Sequence, residues 1–384
     1  MFDESILDDA DLLARRDDQR LLWTLATAGA QVRRAVEMAA EFDVARIGGQ
    51  LPRAVLIATD APPSAAIRLV TRLSCEATPA LAWHGVELPR WAGPSDALLI
   101  GSVDGRHPRL AELAAQGARR GLAMAVVAPG GSQVAIAAGR SPVHELPADL
   151  NPRAARWALL TPLLQALDAL TVHPFPSEVF AVVADALDEM AEVCRPGGDA
   201  FTNPAKALAV EFSETIPLIV GAGPLASVAA RATADALQLY AGVEAVSVSL
   251  PDGVARAGAL LRGGIAGTDA GSADTFFRDR VDEDGPRRAR LLVIGDDGDP
   301  NDPLLGERSG AHIQLDEVAA RKAARALHAV ARELGLRSSS VDVPHGPALA
   351  RFGAAAAFGE FTAAYLAFGL GLDPGARSPA ELAH

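Results

Sequence analysis

Apolar positions change their spacing several times along this chain. In residues 21–42 (LLWTLATAGAQVRRAVEMAAEF) they recur every three or four residues, with Arg and Glu between them, which predicts a helix. Residues 1–45 therefore read as an N-terminal helical segment. After Pro52 the grammar changes. Ala54–Ala58 (AVLIA) is an apolar run of buried-strand length, followed by the turn-like Asp60–Ser64 and a helical stretch over residues 65–77. Next come the strand ALAW, a loop rich in Pro and Gly, and the strand Ala97–Gly101 (ALLIG). The turn SVDGRHP, the helix RLAELAAQGARR and the strand LAMAVVA complete the unit. Buried strands alternating with helices predict a parallel sheet covered on both faces.

The second half repeats this outline. Two helical stretches, ARWALLTPLLQALDAL and SEVFAVVADALDEMAEVC, lead to a break at residues 195–198. A helix (NPAKALAVEF) then precedes the strand Ile216–Gly221, the helix LASVAARATADALQLY, the strand AVSVSL and the helix VARAGALLRG. Residues 263–288, rich in Gly, Asp, Ser and Arg, read as a surface excursion. The strand ARLLVIGD, a long helix from His312, the strand SSSVDV and an Ala-rich helix close the chain. The expectation is an α/β protein with two three-layer αβα units on parallel sheets. The boundaries are a helical segment at 1–45, a first domain at 46–165, a helical connection at 166–200 and a second domain at 201–384.

Composition narrows the chemistry. The net charge of −13 disfavours nucleic acid as a partner, because its phosphates would be repelled. Hydrophobic residues make up 49% of the chain but aromatics only 5%, so the cores must be built from Ala, Leu, Val and Ile. Cys75 and Cys194 stand alone, which leaves no disulfide framework and no thiolate cluster. The acidic N-terminus is unlike a secretory signal, and Phe352–Leu372, whose one charge is Glu360, reads as a buried helix and not a membrane span. The expected compartment is the cytoplasm.

Generic motifs are few. There is no Walker loop, HExxH, CxxC or GxSxG. Gly221-Ala222-Gly223-Pro224-Leu225-Ala226 fits G-x-G-x-x-A between a strand and a helix, where a dinucleotide pyrophosphate could sit, with Asp252 as the ribose acid. Such turns also occur for steric reasons alone, and Pro224 removes one donor. No histidine has a His or Cys partner at metal-ligand spacing, so neither metal nor cofactor is expected. His107 and His345 lie where strands are expected to end. Asp104 reads as an N-cap for the helix that follows it. Lys206 and Lys322 are the only lysines, so anion recognition falls to Arg or to backbone N–H groups.

Several segments carry a resemblance, in order, across most of the chain. They are residues 78–93 (TPALAWHGVELPRWAG) with ALLIGS at 97–102, NPRAA at 151–155, NPAKALA at 203–209, the Gly221–Leu225 turn, and FTAAYLA at 361–367 with Asp373-Pro374. Together they resemble the bifunctional phosphoglucose/phosphomannose isomerases of the sugar isomerase (SIS) fold. The resemblance implies two SIS-type domains, a homodimer, and aldose–ketose interconversion of hexose 6-phosphates. That chemistry asks for a Ser/Thr loop to hold phosphate, an Arg to stabilise the enediolate, a carboxylate to move a proton and a His from the partner subunit.

Carried over residue by residue, Arg153 stands at the arginine, and Ser102 and Gly105 keep part of the phosphate loop. Asp104 replaces the loop's second Ser, and Arg106 and His107 replace its Asn and Thr. Ser64 closes an altered first turn over residues 59–64. Gln238 falls where the proton-transferring Glu belongs, with Glu244 the nearest carboxylate if the register slips. Residues 251–254 offer no imidazole, and the pattern's C-terminal Lys is missing, leaving His384 as the nearest basic group. The expectation is an SIS-family protein that binds a sugar phosphate or related small anion, with isomerase activity lost or altered. Two alternatives stand beside it: an active isomerase with a relocated base (Glu244 or Glu211), and an NAD(P)-binding oxidoreductase using the Gly221 turn. Whether the protein is an enzyme stays open at this point.

Overall fold

The computed structural model describes residues 2–49, 51–60, 68, 78–263, 288–295, 312–341 and 346–377. The N-terminal segment is a series of short helices: α1 (Ser5–Asp8), α2 (Ala10–Arg16), α3 (Leu21–Ala26), α4 (Ala28–Glu37) and α5 (Ala39–Phe42). The helix expected over 21–42 is thus divided at Thr27 and Met38. The Thr24 and Thr27 hydroxyls donate to the carbonyls of Arg20 (2.8 Å) and Trp23 (3.0 Å), a local competition that bends and ends helices. Asp17 starts α3 by accepting the N–H groups of Leu21 (2.7 Å) and Leu22 (3.0 Å).

The first sheet holds β1 (Val55–Thr59), β2 (Ala80–Ala82), β3 (Ala97–Gly101), β4 (Ala123–Ala128) and β5 (Val143–Glu145). The strands are all parallel in the order β2-β1-β3-β4-β5. Alternation sends Leu56, Ala58, Leu98 and Ile100 to one face, against Leu110, Leu113 and Ala114 of α6 (Pro108–Arg120). Val55, Ile57, Ala97 and Leu99 face the other way, into the main core. The Asp104 cap expected for α6 is not used. His107 takes the N-cap position and Pro108, with its fixed φ, opens the helix. The short helix α7 (Gln133–Ala137) and the edge strand β5 were not foreseen in the sequence.

The connection is helical: α8 (Arg156–Ala169), α9 (Ser177–Val193) and α10 (Pro204–Ser213). The second unit runs β6 (Thr215–Ala222), α11 (Pro224–Ala241), β7 (Val246–Leu250), α12 (Val254–Arg262), β8 (Arg288–Gly295), α13 (His312–Glu333), β9 (Ser338–Val341) and α14 (Ala348–Gly369). Its sheet is again fully parallel, in the order β7-β6-β8-β9. The architecture is therefore two αβα units behind an N-terminal helical segment. The excursion expected over 263–288 lies almost wholly outside the described residues.

Every residue of α14 is buried. This helix packs directly on α11, and a Cβ added at Gly359 would lie 2.1 Å from the Thr233 hydroxyl, so glycine sets the close approach. Among the described residues no helix is long and apolar enough to cross a membrane. One core runs without interruption from the N-terminal helices through α8 and α9 to α11 and α14.

Candidate functional site

The first sheet changes direction around β1: the chain crosses to β2 on one side and to β3 on the other. Ligands of open parallel sheets collect at the carboxyl ends of strands beside such a switch point. Here β1 ends at Thr59 and β3 at Gly101, directly opposite in register, so Asp60 and Ser102 meet at the edge. The Asp60 N–H donates to the Gly101 carbonyl at 3.3 Å, and the Ser102 N–H donates to that of Val127 at 2.8 Å.

The donors of the Ser102 loop point at a carboxylate of the chain itself. The Ser102 hydroxyl donates to one oxygen of Asp60, and the Val103 N–H donates to the other at 2.9 Å. The Gly105 N–H donates to the Ser102 Oγ at 3.0 Å. Gly105 has φ +67°, and a Cβ there would lie 2.3 Å from that of Ser132, so the turn excludes other residues on both counts. Burial pushes the Asp60 carboxyl above its ordinary pKa, against the two hydrogen bonds that pull it down. The half-buried His107 lies close enough to favour its charge, and Asp104 close enough to oppose it.

Asp104 holds a second negative charge at this edge. Burial would raise its pKa, but the Arg106 N–H (3.0 Å) and the Arg377 guanidinium (3.0 Å) outweigh burial and keep it below the ordinary value. Arg109 braces the edge from α6 by donating to the carbonyls of Trp83 (3.1 Å) and Thr59 (2.9 Å). The Arg106 side chain is exposed.

The segment after α14 links this edge to Arg153. Arg153 donates from Nη1 to the carbonyls of Leu239 (3.1 Å) and Pro374 (3.0 Å), while Arg377, three residues further on, reaches Asp104. Asn151 fixes the loop by donating to the Gln19 carbonyl at 2.9 Å and accepting from the Arg153 N–H at 2.9 Å. Arg153 thus touches the last turn of α11, which also carries Gln238. The exposed Gln238 amide donates to the Ala245 carbonyl at 2.8 Å and closes the turn after α11.

Beneath Arg153 lies a buried ion pair. Arg156 and Glu360 meet at 3.0 Å with side chains 15% and 3% exposed. The Tyr240 hydroxyl lies 3.3 Å from the same Glu360 oxygen and 3.1 Å from the Arg153 carbonyl. Burial raises the Glu360 pKa, opposed by Arg156, and burial and then Glu360 raise that of Tyr240.

The structure therefore gathers Ser102, Gly105, Asp104 and His107 at one edge and ties Arg153 to the turn bearing Gln238. Glu244 is exposed beyond that turn, and Glu211 accepts from Arg290 at 2.6 Å on the far side of β6. Ser64, His345 and His384 lie outside the described residues. Two participants were missed in the sequence. Arg377 is the basic group that the described part of the C-terminal segment brings to the loop. Asp60 had one legible signal, an acid directly after a buried strand. The Gly221 motif has a packing explanation: a Cβ there would lie 2.3 Å from the Ser227 backbone, so glycine lets α11 sit against β6.

Comparison with known proteins agrees with the architecture. Residues 201–381 match the family described as bacterial phospho-glucose isomerase C-terminal SIS domain. No curated protein matches the sequence. A hypothetical protein of Thermus thermophilus is similar in structure at TM-score 0.68 and 13% identity, covering 98% of this chain and 92% of its own. A glucose-6-phosphate isomerase from Chlamydia trachomatis is similar at TM-score 0.67 and 12% identity, covering 99% and 83%. The tagatose-6-phosphate ketose/aldose isomerase from Escherichia coli gives TM-score 0.57 and 12% identity, covering 94% of each chain. At these identities the likeness establishes the fold.

Proposed function

Residues 201–381 of this chain match the family described as bacterial phospho-glucose isomerase C-terminal SIS domain, and on that similarity we propose a phosphosugar-isomerase-like protein that binds without isomerising. The ligand is a sugar phosphate or related small anion at the carboxyl edge of the first sheet. The protein acts in the cytoplasm as a homodimer, an assembly carried over from the resemblance.

The observation that carries the reading is Gln238. Aldose–ketose interconversion needs a base to move a proton between two carbons. A carboxamide does not titrate, and this one is committed to the Ala245 carbonyl at 2.8 Å. Neither relocated base lends the alternative support, with Glu211 held by Arg290 and Glu244 exposed beyond the turn after α11. Affinity for a small anion is supported by the Arg106 and Arg377 guanidinium groups at the edge, with His107 beside them, which partly offset Asp60 and Asp104.

The test pairs steady-state assays on fructose 6-phosphate and mannose 6-phosphate with solvent deuterium exchange at C2, at high protein concentration. The expected result is neither turnover nor exchange. Robust turnover that disappears in Arg153→Ala would overturn the proposal.

A further inference from the structure

The geometry points to Asp60 as an internal anion that occupies the phosphate seat, so that a phosphomonoester enters the Ser102 loop only by displacing it. The inference rests on the small-anion reading above and deepens it. It concerns this chain's own departure from the family pattern, not the loop as such.

The donors decide the matter. A loop that holds a phosphate does so with hydroxyl and backbone N–H groups aimed at one point. Here the Ser102 hydroxyl and the Val103 N–H are both aimed, and both end on the two oxygens of one carboxylate. The Ser102 Oγ also accepts the Gly105 N–H at 3.0 Å, which fixes its hydroxyl toward Asp60. Ser102 is wholly buried. A dianion placed against the same donors would meet Asp60 in its path and Asp104 alongside, the latter already held by Arg377 at 3.0 Å. Like charges at that range disfavour one another strongly. Swinging Asp60 aside frees both donors and removes the nearer charge.

A purely structural tether between the ends of β1 and β3 would look the same at rest but respond differently to substitution. Asp60→Ser would then lower stability and leave anion affinity where it was. As the seat's occupant, Asp60 competes directly with the ligand. Charged hydrogen bonds of this kind are each worth enough to change affinity by about tenfold or more.

The experiment is titration calorimetry of the full chain with inorganic phosphate, glucose 6-phosphate and glucose, for the natural protein, Asp60→Ser and Asp60→Asn. The expected result is glucose 6-phosphate and phosphate bound at least about tenfold more tightly by Asp60→Ser than by the natural protein, with glucose unchanged. Asp60→Asn, which loses the charge but keeps an acceptor, falls between, and Ser102→Ala added to Asp60→Ser abolishes the gain. Equal affinity for glucose 6-phosphate in all three proteins overturns the role of Asp60 and leaves the small-anion reading standing. Binding by none of them overturns both. If Asp60→Ser does not fold, Asp60→Asn decides: tighter phosphate binding than the natural protein supports the inference, and unchanged binding overturns it.

Discussion

Replacing Arg156 by Met tests how the two units are held together under the site. Arg156 opens α8, and Glu360 lies in the middle of α14, the helix that runs through the shared core. The pair is separated by 3.0 Å, and the Glu360 side chain is only 3% exposed. Removing the guanidinium leaves a buried carboxylate with the Tyr240 hydroxyl, 3.3 Å away, as its remaining partner among the described residues. Breaking a buried pair from one side costs about 3–5 kcal/mol, because the remaining charge is uncompensated. Removing both charges in Arg156→Met/Glu360→Leu should recover most of that loss, to within about 1 kcal/mol of the natural protein.

The sign of the pH dependence follows from Glu360. Its pKa is already raised by burial, and losing Arg156 raises it further. A carboxyl whose folded pKa exceeds its unfolded value binds more protons in the folded state, so the variant's deficit shrinks as pH falls. Urea denaturation followed by circular dichroism at pH 8 and pH 5 reads both effects. The reasoning is refuted if Arg156→Met lies within about 0.5 kcal/mol of the natural protein, or if the double variant is no more stable than the single one.

Two further outcomes follow from groups away from the edge. The buried Lys206 ammonium donates to the carbonyls of Leu7, Pro196 (2.7 Å) and Gly198 (2.6 Å), tying α1 and the interdomain turn to α10. Lys206→Met should cost about 3 kcal/mol in thermal or urea melts, since each orphaned buried acceptor is worth about 1–3 kcal/mol. It should also speed proteolysis near residue 8. His144, buried on β5 with its ring 5.3 Å from that of Phe42, has its pKa lowered to about 4 by burial and then by Arg34. Against an unfolded value of about 6.5, the unfolded state takes up the proton first, so stability falls as pH drops between the two values. Relative to His144→Phe, the natural protein should lose about 2.5 kcal/mol between pH 7 and pH 4.5, measured by the same melts. Parallel pH curves for the two proteins would rule this out.

Much of the fold was legible along the chain because buried parallel strands are written as short apolar runs. AVLIA, ALLIG and LAMAVVA each became a strand of the first sheet, and the single charge in residues 352–372 marked a helix buried on all sides. Elements with weak patterns were lost. The edge strand β5 has three residues and only one of them buried, and the break at Thr27 depends on a hydroxyl turning back to its own helix. That residue 238 carries an amide and not a carboxylate was also legible. Its commitment to the Ala245 carbonyl was not. Nor could the sequence show where the Ser102 hydroxyl and the Val103 N–H would find their acceptor. Asp60 and Ser102 stand 42 residues apart and meet because β1 and β3 pair in register and end together. Arg156, Tyr240 and Glu360, from three separate helices, meet in the same way. Periodicity reports which face of an element is buried, but charges and hydrogen bonds act at a few ångströms across chain-distant groups. Only the packed sheets and helices bring those groups within that range.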